Sequence, residues 1–134
     1  RISWLAMADI HELCVTDNYY YYEAYGVHGS AYDIIQVNLN NWQERTVATS
    51  VMGAKADNDY LYYNKHNSYG FYLATYRRNL ATMNCAKLGT KDIGYRFYLT
   101  GGRIFYETYL GNYELHSISR ACKDDHYVGY YRTN

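Results

Sequence analysis

The run Tyr19-Tyr20-Tyr21-Tyr22 constrains this chain more than any other feature. Successive side chains of a strand point to opposite faces, so four consecutive tyrosines send rings to both sides. A sheet built this way cannot be oily on one side and merely charged on the other. Two surfaces must accommodate aromatic rings, each with a hydroxyl that needs a partner when buried. One surface is the core. The other is a ligand cavity, a carbohydrate or aromatic-ligand platform, a subunit interface, or a solvated sheet face. The chain carries 20 Tyr against 3 Phe, and almost all the tyrosines fall in strand-like runs.

Proline is absent, where roughly seven would be expected at average usage. Every loop therefore turns on Gly, Asn, Asp or Ser. Polyproline ligands and collagen-like repeats are excluded, and no apolar stretch approaches the length of a membrane-spanning helix. The total of 134 residues suits one domain, residues 1–134. With 13 Lys and Arg against 13 Asp and Glu, the chain lacks the basic surplus of a nucleic-acid binder. The balance is uneven along the chain: Arg1 to Asn67 is acidic and Ser68 to Asn134 is basic, which makes head-to-tail or subunit contacts a second reading beside simple mixing on one surface.

Ser3 can cap a helix over about residues 3–14, with Met7, Ile10 and Leu13 or Cys14 at helical spacing. Strands are predicted from residue 19 onward, near Tyr19 to Tyr25, Ala31 to Leu39, Arg45 to Met52, Tyr60 to Tyr63 and Tyr69 to Tyr76. Leu80, Met83 and Ala86 or Lys87 give Arg78 to Leu88 a second short helical pattern ending at Gly89. Four more strands follow. Gly101-Gly102 and Gly111-Asn112 are two-residue hairpin signals, so residues 95–119 predict a three-stranded antiparallel meander. The fold class is mainly β, a small antiparallel barrel or strongly curved sheet with an N-terminal helix. The alternative is a two-layer α+β fold with helices on one sheet face.

Two-residue loops would place Thr100 opposite Arg103 and Leu110 opposite Tyr113. One face of the meander then carries Tyr95, Phe97, Leu99, Ile104, Tyr106, Thr108, Leu110, Tyr113, Leu115 and Ser117 and is buried. The other carries Arg96 opposite Glu107 and Glu107 opposite His116. A cation, a carboxylate and an imidazole in a row are candidates for catalysis if a cavity forms there, with Arg96 as anion anchor and Glu107 and His116 as base and orienter. On an open face the same three make a cross-strand ion pair. Tyr98, Phe105 and Tyr109 on this face, with Tyr20 and Tyr22, are the candidate ligand or interface residues.

Cys14, Cys85 and Cys122 are odd in number and widely spaced, which excludes a paired-cysteine zinc pattern and leaves all three disulfide pairings open. No metal site is predicted, and no cofactor is specified. Asp57-Asn58-Asp59 and Asp124-Asp125-His126 have ligand-type residues but no metal-binding loop pattern. The chain starts at Arg1 with no leader pattern ahead of its first structured residues, so it reads as a mature or trimmed product. Low charge and abundant Tyr point to an extracellular setting. The functional expectation is a non-enzymatic extracellular binding or structural protein that uses Tyr-rich sheet surfaces for self-association or contact with a small ligand. The alternative is a small-ligand-binding barrel or a cone-shaped α+β enzyme with the Arg-Glu-His site.

Overall fold

The computed structural model describes residues 10–25, 31–94, 96–109 and 113–131. The described chain forms eleven strands: β1 (Ile10–Val15), β2 (Tyr19–Tyr25), β3 (Tyr32–Asn38), β4 (Glu44–Ala56), β5 (Tyr60–His66), β6 (Tyr72–Asn79), β7 (Cys85–Gly89), β8 (Phe97–Thr100), β9 (Arg103–Tyr109), β10 (Tyr113–Ser119) and β11 (His126–Tyr131). The first seven make one antiparallel sheet in chain order, and the last four make a second. The mainly β expectation holds. Both sheets are open, so the closed-barrel form of it does not, and no helix occurs among the described residues, which also sets aside the two-layer α+β alternative.

Both predicted helices fail for reasons visible in the backbone. Residues 10–15 of the N-terminal one are strand β1, and residues 1–9 lie outside the described residues. A β-bulge between Glu12 and Cys14 turns both Leu13 and Cys14 toward the core, which reproduces the three-to-four spacing of a helix within a strand. The second pattern covers the end of β6, a turn and β7. Met83 N–H donates to Asn79 O at 2.8 Å, but Met83 takes a φ of 66° and the helical turn goes no further. The Asn79 side chain accepts from the N–H groups of Ala81 and Thr82 and holds that single turn.

A repeated unit underlies the sheets, at a spacing of about 41 residues. The turn before β2 closes with Thr16 N–H to Tyr19 O, and the turn before β5 with Asp57 N–H to Tyr60 O. Leu39 N–H reaches Asn18 O at 2.9 Å, and Leu80 N–H reaches Asp59 O at 2.9 Å. Trp42, Met83 and Cys122 occupy the same place in successive turns, with φ of 62°, 66° and 59°. Tyr22 donates to Glu44, Tyr63 hydrogen-bonds with Cys85, and Tyr106 donates to Asp125. In each pair a tyrosine from the second strand of a unit meets the start of its fourth strand or the residue just before it.

The units are therefore β1-β2-β3 with the first half of β4, then the second half of β4 with β5-β6-β7, then β8-β9-β10-β11. Strand β4 belongs to two of them: Glu44 to Val51 pairs with β3, and Val51 to Ala56 pairs with β5. Ser50, with a φ of 56°, marks the division. The first strand of each unit lies beside that of the next, β1 against β4 and β4 against β8.

Cores form between units. Tyr21, Ile34 and Ala48 of the first unit pack with Val51, Ala54, Leu61, Tyr63 and Leu80 of the second. Tyr62 of the second packs with Ile93, Phe97, Ile104, Tyr106 and Ile118 at the third. Adjacent tyrosines thus face opposite ways, Tyr62 toward the following unit and Tyr63 toward the preceding one. At the second unit, the doubled aromatic character of the sequence is that of a sheet buried on both faces.

Candidate functional site

The predicted row of Arg96, Glu107 and His116 depends on register. Thr100 pairs with Arg103, and Gly101 and Gly102 have φ of 57° and 73°, as a primed turn requires. Arg96, one residue before β8, thus follows the side-chain alternation that Glu107 follows on β9. The Gly111-Asn112 turn lies outside the described residues, but its flanks are fixed: Tyr109 pairs with Tyr113, and Glu107 faces Leu115 rather than His116. Three residues instead of two separate the strands, and that one-residue difference moves every side chain of β10 to the other face. His116 therefore pairs with Tyr106 and stands on the side opposite Glu107. The buried face gains His116 and Ile118 and loses Tyr113 and Leu115.

His116 enters a different polar cluster. Its ring stacks on Tyr106, with centroids 5.3 Å apart, just as Tyr76 stacks on Tyr63 at 5.6 Å one unit earlier. Nε2 lies 3.2 Å from Glu114 Oε1, and Nδ1 lies 3.5 Å from Asp125 Oδ2 without making a hydrogen bond. Asp125 accepts from the Tyr106 hydroxyl and lies 3.5 Å from Lys91 Nζ. Burial, and then the Asp125 carboxylate, pushes the Tyr106 phenol well above its usual range. Burial acts to raise Asp125 as well, but the Tyr106 hydroxyl, Lys91 and His116 outweigh it and hold the carboxyl low. Sequence reasoning put His116 on the wrong face and took Asp125 as part of a solvated turn; correct pairing of β10 is the signal that joins them.

The five aromatic candidates divide. Tyr98 and Phe105 are cross-strand partners, with Tyr98 49% exposed and Phe105 half-buried. Tyr22 is buried, its hydroxyl 2.9 Å from Glu44, and half-buried Tyr20 lies beside it with ring centroids 5.8 Å apart. The Tyr109 side chain lies outside the described residues. Sequence reasoning missed the aromatic tip Tyr69 and Phe71, which are 85% and 70% exposed. There Asn67 Oδ1 accepts from both residues' N–H groups and fixes the loop.

An open cleft of about 370 Å³ lies at the seam between the first and second units, lined by Thr16, Asp17, Asn18 and Tyr19 on one side and Asn58, Leu80, Ala81 and Met83 on the other. Its walls are turns tied by their own hydrogen bonds. Tyr19 N–H donates to Thr16 Oγ1, and Leu39 and Leu80 brace Asn18 and Asp59 from behind. Tyr21 donates to Met83 Sδ at 3.2 Å, and Gln36 donates to the Tyr21 hydroxyl at 2.8 Å, which holds Met83 across the seam. Asp17 is the single ionisable carboxyl in the lining.

Among the described residues no cluster of His, Cys, Asp and Glu is arranged to hold a metal ion, and no helix is long and apolar enough to cross a membrane. Cys14, Cys85 and Cys122 are all free thiols. Comparison with known proteins finds no matching family model, no matching curated protein and no matching solved structure.

Proposed function

We propose that the protein is a non-enzymatic binding protein whose tyrosine-rich sheets form a rigid frame for the cleft between the first two units, and that the cleft takes a small neutral polyhydroxylated ligand such as a short oligosaccharide. The observation that carries this reading is the lining itself. Thr16, Asp17, Asn18 and Asn58 are hydrogen-bonding side chains, Tyr19 is aromatic, and Leu80, Ala81 and Met83 are apolar. A few polar groups on a preformed concave surface are what orient a small ligand. The braced turns reduce the ordering that binding requires. An extracellular setting belongs to the same proposal and rests on composition.

The enzymatic alternative is weaker in geometry, because Glu107 and His116 point to opposite sides of one sheet. Isothermal titration with cellobiose and with N,N′-diacetylchitobiose tests the binding reading. Saturable heat that Asn18→Ala with Asn58→Ala abolishes is the expected result. No saturable heat with either sugar into the tens of millimolar, or binding indifferent to those substitutions, refutes it.

A further inference from the structure

The repeat makes the seam between the second and third units comparable, position by position, with the seam that holds the open cleft. Thr16, Asp17, Asn18 and Tyr19 correspond to Asp57, Asn58, Asp59 and Tyr60. On the facing side, Leu80, Ala81 and Met83 correspond to Arg120, Ala121 and Cys122, with Met83 and Cys122 matched by their left-handed backbone, and Asn58 corresponds to the turn at Gly101. Every wall of the first cleft has a counterpart. Four counterparts differ in charge, Asp57 for Thr16, Asn58 for Asp17, Asp59 for Asn18 and Arg120 for Leu80, and of these Asp57 and Arg120 touch.

Arg120 Nη1 donates to Asp57 Oδ2 at 2.6 Å. Its Nε donates to Arg103 O at 3.0 Å, and its guanidinium lies 5.4 Å from the centre of the Tyr62 ring. Asp57 remains the cap of its turn: Oδ1 accepts from the N–H groups of Asp59 and Tyr60, as Thr16 Oγ1 accepts from Tyr19 N–H. Oδ2 is thus left for Arg120. Leu80 and Thr16 offer no such link, and the cleft between them stands open.

We propose that the seam between the second and third units is a second binding site of the same kind as the first, held shut by the Arg120–Asp57 ion pair. The latch makes the two seams unequal, so the chain takes one neutral polyhydroxylated ligand where the repeat supplies walls for two. The ligand class rests on the reading given under the preceding heading; the existence of a latched cavity does not.

The test uses the whole chain and two variants that copy the open seam, Arg120→Leu and Arg120→Leu with Asp57→Thr. Cys122 reports opening without any ligand, since it holds the position of the cleft-lining Met83, while Cys14, whose thiol is pushed up by burial and then by the Asp57 carboxylate, serves as control in Arg120→Leu, where Asp57 is kept. N-ethylmaleimide labelling followed by peptide mass mapping gives both rates. The expected result is at least about tenfold faster labelling of Cys122 in both variants, with Cys14 unchanged in Arg120→Leu. An unchanged Cys122 rate shows that the ion pair only fastens one unit to the next and overturns the proposal, as does equal acceleration of Cys14 and Cys122 in Arg120→Leu, which is general loosening. Titration of the double variant with the disaccharide that binds the native chain then reads two sites in place of one; a single site in a variant whose Cys122 has become reactive also overturns it. Failure of the native chain to bind either disaccharide refutes the binding reading alone and leaves the thiol measurement to decide the latch.

Discussion

Alkaline pH is the most direct probe of how the tyrosines hold this fold. Tyr63 and Tyr106 are 4% and 0% exposed. Burial, reinforced by Cys85 at one and Asp125 at the other, pushes both phenols far above the usual value near 10. Tyr72, buried in part, is pushed up to about 12 despite its hydrogen bond to Thr75. Folding keeps these groups protonated, so their contribution is complete below pH 10, the free-chain value, and is lost as pH rises toward the folded values. One pH unit above the free-chain value, each phenol that the fold keeps protonated forfeits about 1.4 kcal/mol. Tyr63 and Tyr106 together forfeit about 3 kcal/mol at pH 11, a large part of the roughly 5–15 kcal/mol that stabilises a typical domain.

Urea unfolding at pH 8, 10 and 11, with absorbance at 295 nm reporting phenolate, measures the loss. Tyr63→Phe with Tyr106→Phe should lower stability at pH 8 and flatten its decline above pH 10. A native chain equally stable at pH 8 and pH 11, or one that ionises all its tyrosines near pH 10 while still folded, would refute the argument.

Truncating Ile104, fully buried at the seam of the second and third units, to Ala should cost about 2–5 kcal/mol, measured by urea denaturation. Asp125, held low by Tyr106, Lys91 and His116, contributes stability that is present above about pH 4 and lost as pH falls through its folded value. Asp125→Asn should therefore reduce the acid sensitivity of the melting temperature between pH 5 and pH 3. Gly102→Val places a β-branched residue at a φ of 73°, and the strain should destabilise the chain by about 1–3 kcal/mol although a Cβ there meets nothing within 4 Å. Replacing exposed Tyr69 and Phe71 with Ser should leave stability within about 0.5 kcal/mol in the same assay.

Much of the strand framework is legible in the sequence because turn chemistry and alternation act locally. β2 matches its prediction at both ends, and Gly101-Gly102 forms the turn that two consecutive residues of positive φ permit. The candidate site was less legible, because it required register across three strands. A pairing that is right between β8 and β9 and one residue out between β9 and β10 keeps Arg96 and Glu107 in one alternation and removes His116. Asp125 and Asp57 are harder still. Both sit in turns that read as solvated, and each gains its partner from a distant part of the chain: Tyr106 lies 19 residues from Asp125, and Arg120 lies 63 residues from Asp57.

The repeat itself was present in the sequence and masked by its own chemistry. Asp17-Asn18-Tyr19 and Asn58-Asp59-Tyr60 lead into the tyrosine strands, and Asn38-Leu39 and Asn79-Leu80 close the third strand of the first two units. These residues recur because their backbone positions recur; the intervening positions do not have to. Where one unit uses Glu44 to meet a tyrosine hydroxyl, the next uses Cys85 and the third Asp125, three side chains related only in sharing a hydrogen bond with it. The stacking partner of the same tyrosine changes from Tyr76 to His116, both flat rings. Similarity of residue type is therefore low while similarity of role is high. The same substitution of role explains the abundance of tyrosine. The second unit buries one face against the unit before it and the other against the unit after it, so the adjacent positions Tyr62 and Tyr63 both need large side chains. Because the far end of each ring meets a neighbouring strand or turn, a ring with a hydroxyl can be satisfied there, as Tyr21, Tyr22, Tyr63 and Tyr106 all are. A phenylalanine at those four places would fill the same volume and leave Met83, Glu44, Cys85 and Asp125 without the contact that ties each ring to its seam or its strand.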